Sequence, residues 1–78
     1  SSNVSSLAGA IVKSIEEHSK VELHSIGASS VNQSCKSLAI ARGILATKGL
    51  DLSVKIGFDE TEIEGLKKTL IKFILIIN

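Results

Sequence analysis

The spacing of apolar residues along this 78-residue chain predicts two helices and three strands. In the first helix, apolar residues recur every three or four positions, at Val4, Leu7, Ala8, Ile11 and Ile15. Residues 20–26 then predict a short strand, and Gly27 begins the turn into a second helix capped by Ser29 or Ser30. The N-terminal half is therefore predicted to run helix, strand, helix.

The second helix carries apolar residues on more than one side. One stripe consists of Val31, Cys35, Leu38 and Ala39, and two further apolar residues, Ile40 and Ile44, lie off it. Two apolar faces indicate two packing partners, the sheet of the same chain and a symmetry-related copy. We assign Leu38, Ile40 and Ile44 to a dimer interface.

The C-terminal half predicts two strands joined by a charged hairpin. Apolar residues alternate with polar ones at Leu50, Leu52, Val54, Ile56 and Phe58, as in a strand with one buried face. The acidic segment "DETEIEG" predicts a solvated hairpin. The last run, "KKTLIKFILII", is apolar on both alternating faces apart from Lys72, which predicts a strand buried on both sides or at an interface.

These five elements fit a single domain over residues 1–78, an α+β two-layer sandwich of one sheet and two helices. A chain this short has no room for a second core. A sheet of three strands with two helices looks incomplete, and the chain contains no methionine. We therefore expect a further strand before Ser1, lost together with the original N-terminus.

Composition adds a reason to expect self-association. The chain is 44% hydrophobic with a mean hydropathy of +0.33, yet Phe58 and Phe73 are its only aromatic residues. Such a surplus of aliphatic side chains in a small domain is most simply covered by a second copy. The net charge is only +1, so any nucleic-acid site must be local rather than the product of a global basic field.

The chain offers no recognisable catalytic or metal-binding chemistry. His18 and His24 lack partners at metal-ligand spacing, and no phosphate-binding loop, dinucleotide-binding or nucleophile motif occurs. Cys35, the single cysteine, is interpreted as a buried small apolar residue and fits a reducing compartment. With no signal peptide and no apolar run near 20 residues, we expect a cytoplasmic protein without membrane contact, cofactor, metal or enzymatic activity.

Three segments carry a resemblance to a known family. "SLAGAI", "IGASSVNQSCKSLAIARG" and "GLDLSV", in this order and spacing, resemble the stage V sporulation protein S family of bacteria, whose members have an Alba-like fold. The resemblance implies a βαβαββ domain that dimerises and a nucleic-acid-binding or regulatory role in sporulation or development. Alba relatives bind DNA and RNA through a basic loop before the first helix, through the second helix and through a basic hairpin.

Carried over by resemblance, the loop corresponds to Ser1, Ser2, Asn3 and Ser5, and the hairpin to residues 59–66. The helix contacts correspond to Asn32, Gln33, Lys36 and Arg42. The chain departs from the Alba pattern in two places, because its loop contains no lysine and its hairpin is acidic. Carboxylates that face phosphates are repulsive, so wrapping of DNA in the Alba manner is not expected to transfer intact.

The second helix carries a candidate contact surface. Ser29, Asn32, Gln33 and Lys36 fall within about 100° of one another on a helix and form a polar strip. This strip is either a phosphate site at the helix N-terminus or the solvated edge of a dimer helix. Arg42 lies about 120° from Lys36 and suits either a phosphate or an interface carboxylate.

Two functions from different classes follow. The first is a dimeric, nucleic-acid-binding regulator whose contacts are Ser2, Asn3, Ser29, Asn32, Gln33, Lys36 and Arg42. The second is a protein-interaction module that assembles through its apolar surfaces, uses the acidic hairpin for a protein partner and binds no DNA or RNA.

Overall fold

A computed structural model describes residues 3–18 and 20–78. The elements in chain order are α1 (Asn3–Glu17), β1 (Val21–Ile26), α2 (Ala28–Thr47), β2 (Leu52–Ile63) and β3 (Leu66–Ile77). This α+β arrangement confirms the predicted Alba-like sandwich. The predicted contacts at Ser2 and at the side chain of Asn3 lie outside what is described.

The three strands form one antiparallel sheet with β3 in the centre, in the order β1-β3-β2. In the register, Phe73 of β3 stands between Leu23 of β1 and Ile56 of β2. Because β1 and β2 each run antiparallel to β3, they are parallel to each other, and α2 provides the long crossover that such a pair requires. Phe73 and Leu75 are buried in the core that α1 and α2 form on one face of the sheet.

The core joins residues from both helices and from β2 and β3. Its buried members are Ala8, Ile11, Val12, Leu38, Ala41, Leu45, Leu52, Phe73 and Leu75. Phe73 is the largest side chain that is almost fully buried, at 1% exposure. Leu38 is only 7% exposed in the single chain, so it packs in the core of its own chain and has little surface left for the dimer interface to which we assigned it.

The buried side of α2 differs from the predicted stripe. Cys35 is exposed, so its predicted burial is wrong. Two serines point inwards instead: the Ser34 hydroxyl lies 2.7 Å from that of Ser25 on β1, and the Ser37 hydroxyl donates to the carbonyl oxygen of Val4 at 3.2 Å. Buried hydroxyls are tolerated when hydrogen-bonded, and here the small side chains let α2 lie close to both β1 and α1.

The acidic segment is strand rather than loop. β2 and β3 pair without interruption up to Ile63 and Leu66, and Glu64 (φ 53°) and Gly65 (φ 79°) form the two-residue turn between them. Positive φ at both positions is the signature of a type I′ turn, whose twist matches that of the flanking strands. The predicted exposure is confirmed, since every acidic residue of the segment is solvent-exposed.

Among the described residues, no third strand pairs with the distal part of this hairpin. β1 pairs with β3 only as far as Leu70, so residues 60–69 form a two-stranded extension that we call the arm. The molecule is correspondingly long, with principal extents of 44 × 26 × 17 Å. The arm contains three glutamates and two lysines. Across its two strands, Glu62 stands opposite Lys67 and Thr61 stands opposite Lys68.

Candidate nucleic-acid interface

The N-terminus of α2 has uncapped backbone amides. Gly27, at φ 90°, is the N-cap residue and leaves the helix without a side-chain cap, so the predicted capping by Ser29 or Ser30 is wrong. The first N–H groups of a helix lack intrahelical partners and carry partial positive charge. No acidic residue occupies the first turn of α2 to offset that charge.

The structure brings the four residues of the predicted polar strip together on one side of α2. Ser29, Asn32 and Lys36 are exposed and Gln33 is half-buried. These four residues lie on the side of α2 opposite its buried side, which includes the fully buried Ala41. Within the described residues none of the four makes a side-chain hydrogen bond or an ion pair, so the strip is available to a ligand.

Arg42 is exposed but does not join the strip. It lies on the flank of α2 that carries Cys35, about 120° from Lys36. The opposite flank faces α1, because Ser37 bonds to Val4 and Lys48 pairs with Glu16 there. The predicted site residues of α2 therefore separate into an outward strip and a single arginine that points away from α1.

The charges of α2 are uncompensated along its whole length. Its 20 residues contain Lys36 and Arg42 and no aspartate or glutamate. In the part of the chain that the structure describes, a hydrogen bond joins the side chains of His24 and Glu22, and an ion pair joins Lys48 to Glu16. Neither contact involves a residue of the strip or Arg42. The positive charges of Lys36 and Arg42 are therefore not offset by a partner in the described residues and can attract an anion.

A second group of basic residues lies on the sheet face that the helices leave open. Side chains alternate between the two faces of a strand, and the register places Lys55, Lys68 and Lys72 on the open face together with His24. Sequence reasoning missed this group because its members are spread over all three strands, with His24 on β1, Lys55 on β2, and Lys68 and Lys72 on β3. Only the pairing register, in which Lys72 falls opposite both His24 and Gly57, shows that they share a face.

A metal-binding cluster and a membrane-spanning helix are both absent from the described residues. Among residues 3–18 and 20–78 no group of three or more histidine, cysteine, aspartate or glutamate side chains is placed to hold a metal ion. No helix in these ranges is long and apolar enough to span a membrane.

Comparison with protein families assigns the chain. The family model described as Stage V sporulation protein S (SpoVS) matches residues 1–78, the entire chain. The chain belongs to the stage V sporulation protein S family. This membership confirms the resemblance carried by the "IGASSVNQSCKSLAIARG" block, and it makes the protein a member of a sporulation-related family. The polar strip of this SpoVS protein lies in that same block, between Ser29 and Lys36.

Proposed function

We propose that this SpoVS protein is a homodimeric, non-enzymatic regulator of sporulation or development that binds nucleic acid in the cytoplasm through the polar strip of α2. The observation that carries the proposal is the outward face of α2, where Lys36 has no acidic neighbour on its helix and no partner among the described residues. The family assignment supports the biological setting.

The chemistry of the strip suits a phosphate backbone. The uncapped N–H groups and the dipole of α2 favour an anion at its first turn. Lys36 adds a full positive charge two turns further on, and the side-chain amides of Asn32 and Gln33 supply hydrogen-bond donors between them. Such contacts position a protein on nucleic acid without reading its sequence.

A homodimer is supported by exposed apolar side chains on two elements. Ile40 and Ile44 on α2 are 40% and 37% exposed, and Ile56 and Phe58 on β2 are 68% and 74% exposed. Exposed apolar clusters of this kind mark protein–protein contacts. A two-fold dimer also duplicates the strip, so that two weak phosphate sites act as one bivalent site.

Titration of DNA and RNA oligomers tests the proposal directly. We expect binding to at least one of them at about 50 mM salt, with a steep loss by about 200 mM, because each cation that neutralises a phosphate adds roughly 0.9 to the salt slope. Lys36→Glu should abolish it. Lys13→Glu is the matched control, since Lys13 is an exposed lysine on α1. Absence of binding to either polymer at the lower salt would overturn the proposal.

A second function, a protein-interaction module without nucleic-acid binding, is favoured by the tip of the arm. Ile63 and Leu66 are 43% and 61% exposed there, beside Glu62 and Glu64. Capture of partners from cell extract with and without nuclease separates the two functions. Partners lost on nuclease treatment support nucleic-acid binding, whereas partners retained support the interaction module.

A further inference from the structure

The single chain exposes more surface than a compact protein of its mass. Its accessible surface is 5230 Å² for 8.2 kDa, whereas compact monomers of that mass expose about 4500 Å². Its radius of gyration is 13.1 Å, against about 11.5 Å expected for a compact domain of this length. The excess of roughly 700 Å² is close to the ~800 Å² that each partner contributes to a standard interface.

Two large apolar side chains, Ile56 and Phe58, are exposed on one face at the root of the arm. Ile56 and Phe58 share the helix-bearing face of the sheet with Leu52 and Val54, since residues two apart on a strand point the same way. Leu52 is buried, but Ile56 and Phe58 remain 68% and 74% exposed, so neither helix of the chain covers them.

The next outward residue on the same face is acidic. Glu60 follows Phe58 two positions along β2, and its cross-strand neighbour Thr69 supplies no cation. Glu62, one step further, stands opposite Lys67. Glu60 is therefore the carboxylate of this face with no basic residue directly across from it.

The matching positive charge is on the flank of α2 that points away from α1. Arg42 is exposed there and has no partner among the described residues. Its neighbours on that flank, Cys35 and Ala46, are small, so another chain can approach the helix closely. An arginine fork binds a carboxylate with two parallel hydrogen bonds.

We propose that a second copy of this chain lies along this flank, with Arg42 of each copy bound to Glu60 of the other and with Ile56 and Phe58 packed against the partner α2. A two-fold axis makes each contact twice, so the acid-free helix of each copy meets the acidic arm of the other. This inference rests on the homodimer of the proposed function, but its α2 contact is on the Arg42 flank, about 160° around the helix from Ile40 and Ile44, so those two residues lie outside this contact. It assigns Arg42 to the interface and leaves Lys36 for nucleic acid.

Charge reversal tests the pairing, with sedimentation equilibrium as the readout. We expect Arg42→Glu and Glu60→Arg each to weaken self-association of the full chain at least about tenfold, because a like-charge pair replaces a salt bridge at a covered site. The double variant, Arg42→Glu with Glu60→Arg, should self-associate with an affinity within about threefold of that of the unaltered protein. Asp59→Arg is the matched control: it makes the same charge change one residue away, on the other face of the strand, and should alter association by less than about twofold.

Three results would overturn the inference: an unaltered protein that stays monomeric at about 200 µM, far above the concentrations at which standard interfaces form; single reversals with no more effect than Asp59→Arg; or a double variant as weak as the singles. Both altered side chains are exposed, and circular dichroism checks that each variant is folded. A dimer that depends on Arg42 and Glu60 but binds neither DNA nor RNA supports the inference and overturns the nucleic-acid part of the proposed function.

Discussion

α2 and the arm differ in charge and in how much of each packs against the rest of the chain. α2 carries two cations and no acid, and its inner side is built into the core at Leu45, which is fully buried. The arm carries more acid than base, and among the described residues β1 pairs with β3 only as far as Leu70, where the arm begins. An isolated two-stranded hairpin is only marginally stable in water. The difference teaches that the stable, basic element is suited to hold a ligand, whereas the arm gains most from contact with another chain.

The largest difference in stability between the two regions is expected when one leucine in each is replaced by alanine. Leu45→Ala should lower the free energy of unfolding by about 2–5 kcal/mol, because it leaves a cavity in a closely packed core. Leu66→Ala, at a side chain 61% exposed at the arm tip, should change it by less than about 0.5 kcal/mol. Urea unfolding at low protein concentration measures both, and equal losses would contradict the account.

A smaller loss is expected from the serine pair beneath α2. Ser34→Ala leaves the buried Ser25 hydroxyl without the partner it has at 2.7 Å, which should cost about 1–3 kcal/mol. Removing both hydroxyls should cost less than the sum of the single changes, because the second removal leaves no buried donor unsatisfied. Additive losses in the unfolding free energy would show that the two hydroxyls are not coupled.

The elements could be predicted from the sequence, but the buried serines of α2 could not. The order of elements and the strand at Val21–Ile26 follow from apolar spacing within the chain. The rotation of α2 does not, because Ser34 and Ser37 are buried by partners far away in sequence, Ser25 and Val4. Apolar spacing alone therefore favoured Cys35 for the buried side.

The candidate site divides in the same way. The polar strip could be predicted because its four residues are neighbours on one helix, where spacing fixes direction. The lysines of the open sheet face could not, since their grouping depends on strand register. The acidic hairpin was recognised, but the opposition of Glu62 and Lys67 within it required the pairing of β2 with β3.

Glycine substitutions should change stability in opposite directions in the two regions. Gly65→Ala places a Cβ at φ 79° in the turn of the arm, which should cost about 1 kcal/mol. Gly43→Ala on α2, where a Cβ meets nothing within 4 Å, should stabilise the chain by roughly 0.5–1 kcal/mol. Thermal unfolding measures both. Destabilisation by Gly43→Ala would indicate that another chain already fills the space outside that residue.

The smallest effect is expected on the open face of the sheet. Lys72→Glu should weaken nucleic-acid binding by less than about threefold, since Lys72 contributes only through its distant charge if the strip is the site. Fluorescence anisotropy with the same oligomers used for Lys36→Glu gives the comparison. A larger loss for Lys72→Glu than for Lys36→Glu would move the site from α2 to the sheet.

The salt dependence of binding tests the central claim, that Lys36 on α2 neutralises phosphate. The slope of log K against log salt concentration is measured for the unaltered protein and for Lys36→Gln, which removes the charge and keeps a polar side chain. With two copies of Lys36 per dimer, the slope should become shallower by about 1.4–1.8, given about 0.7–0.9 per phosphate contact. An unchanged slope, with Lys36→Gln binding as tightly as the unaltered protein, would contradict the account.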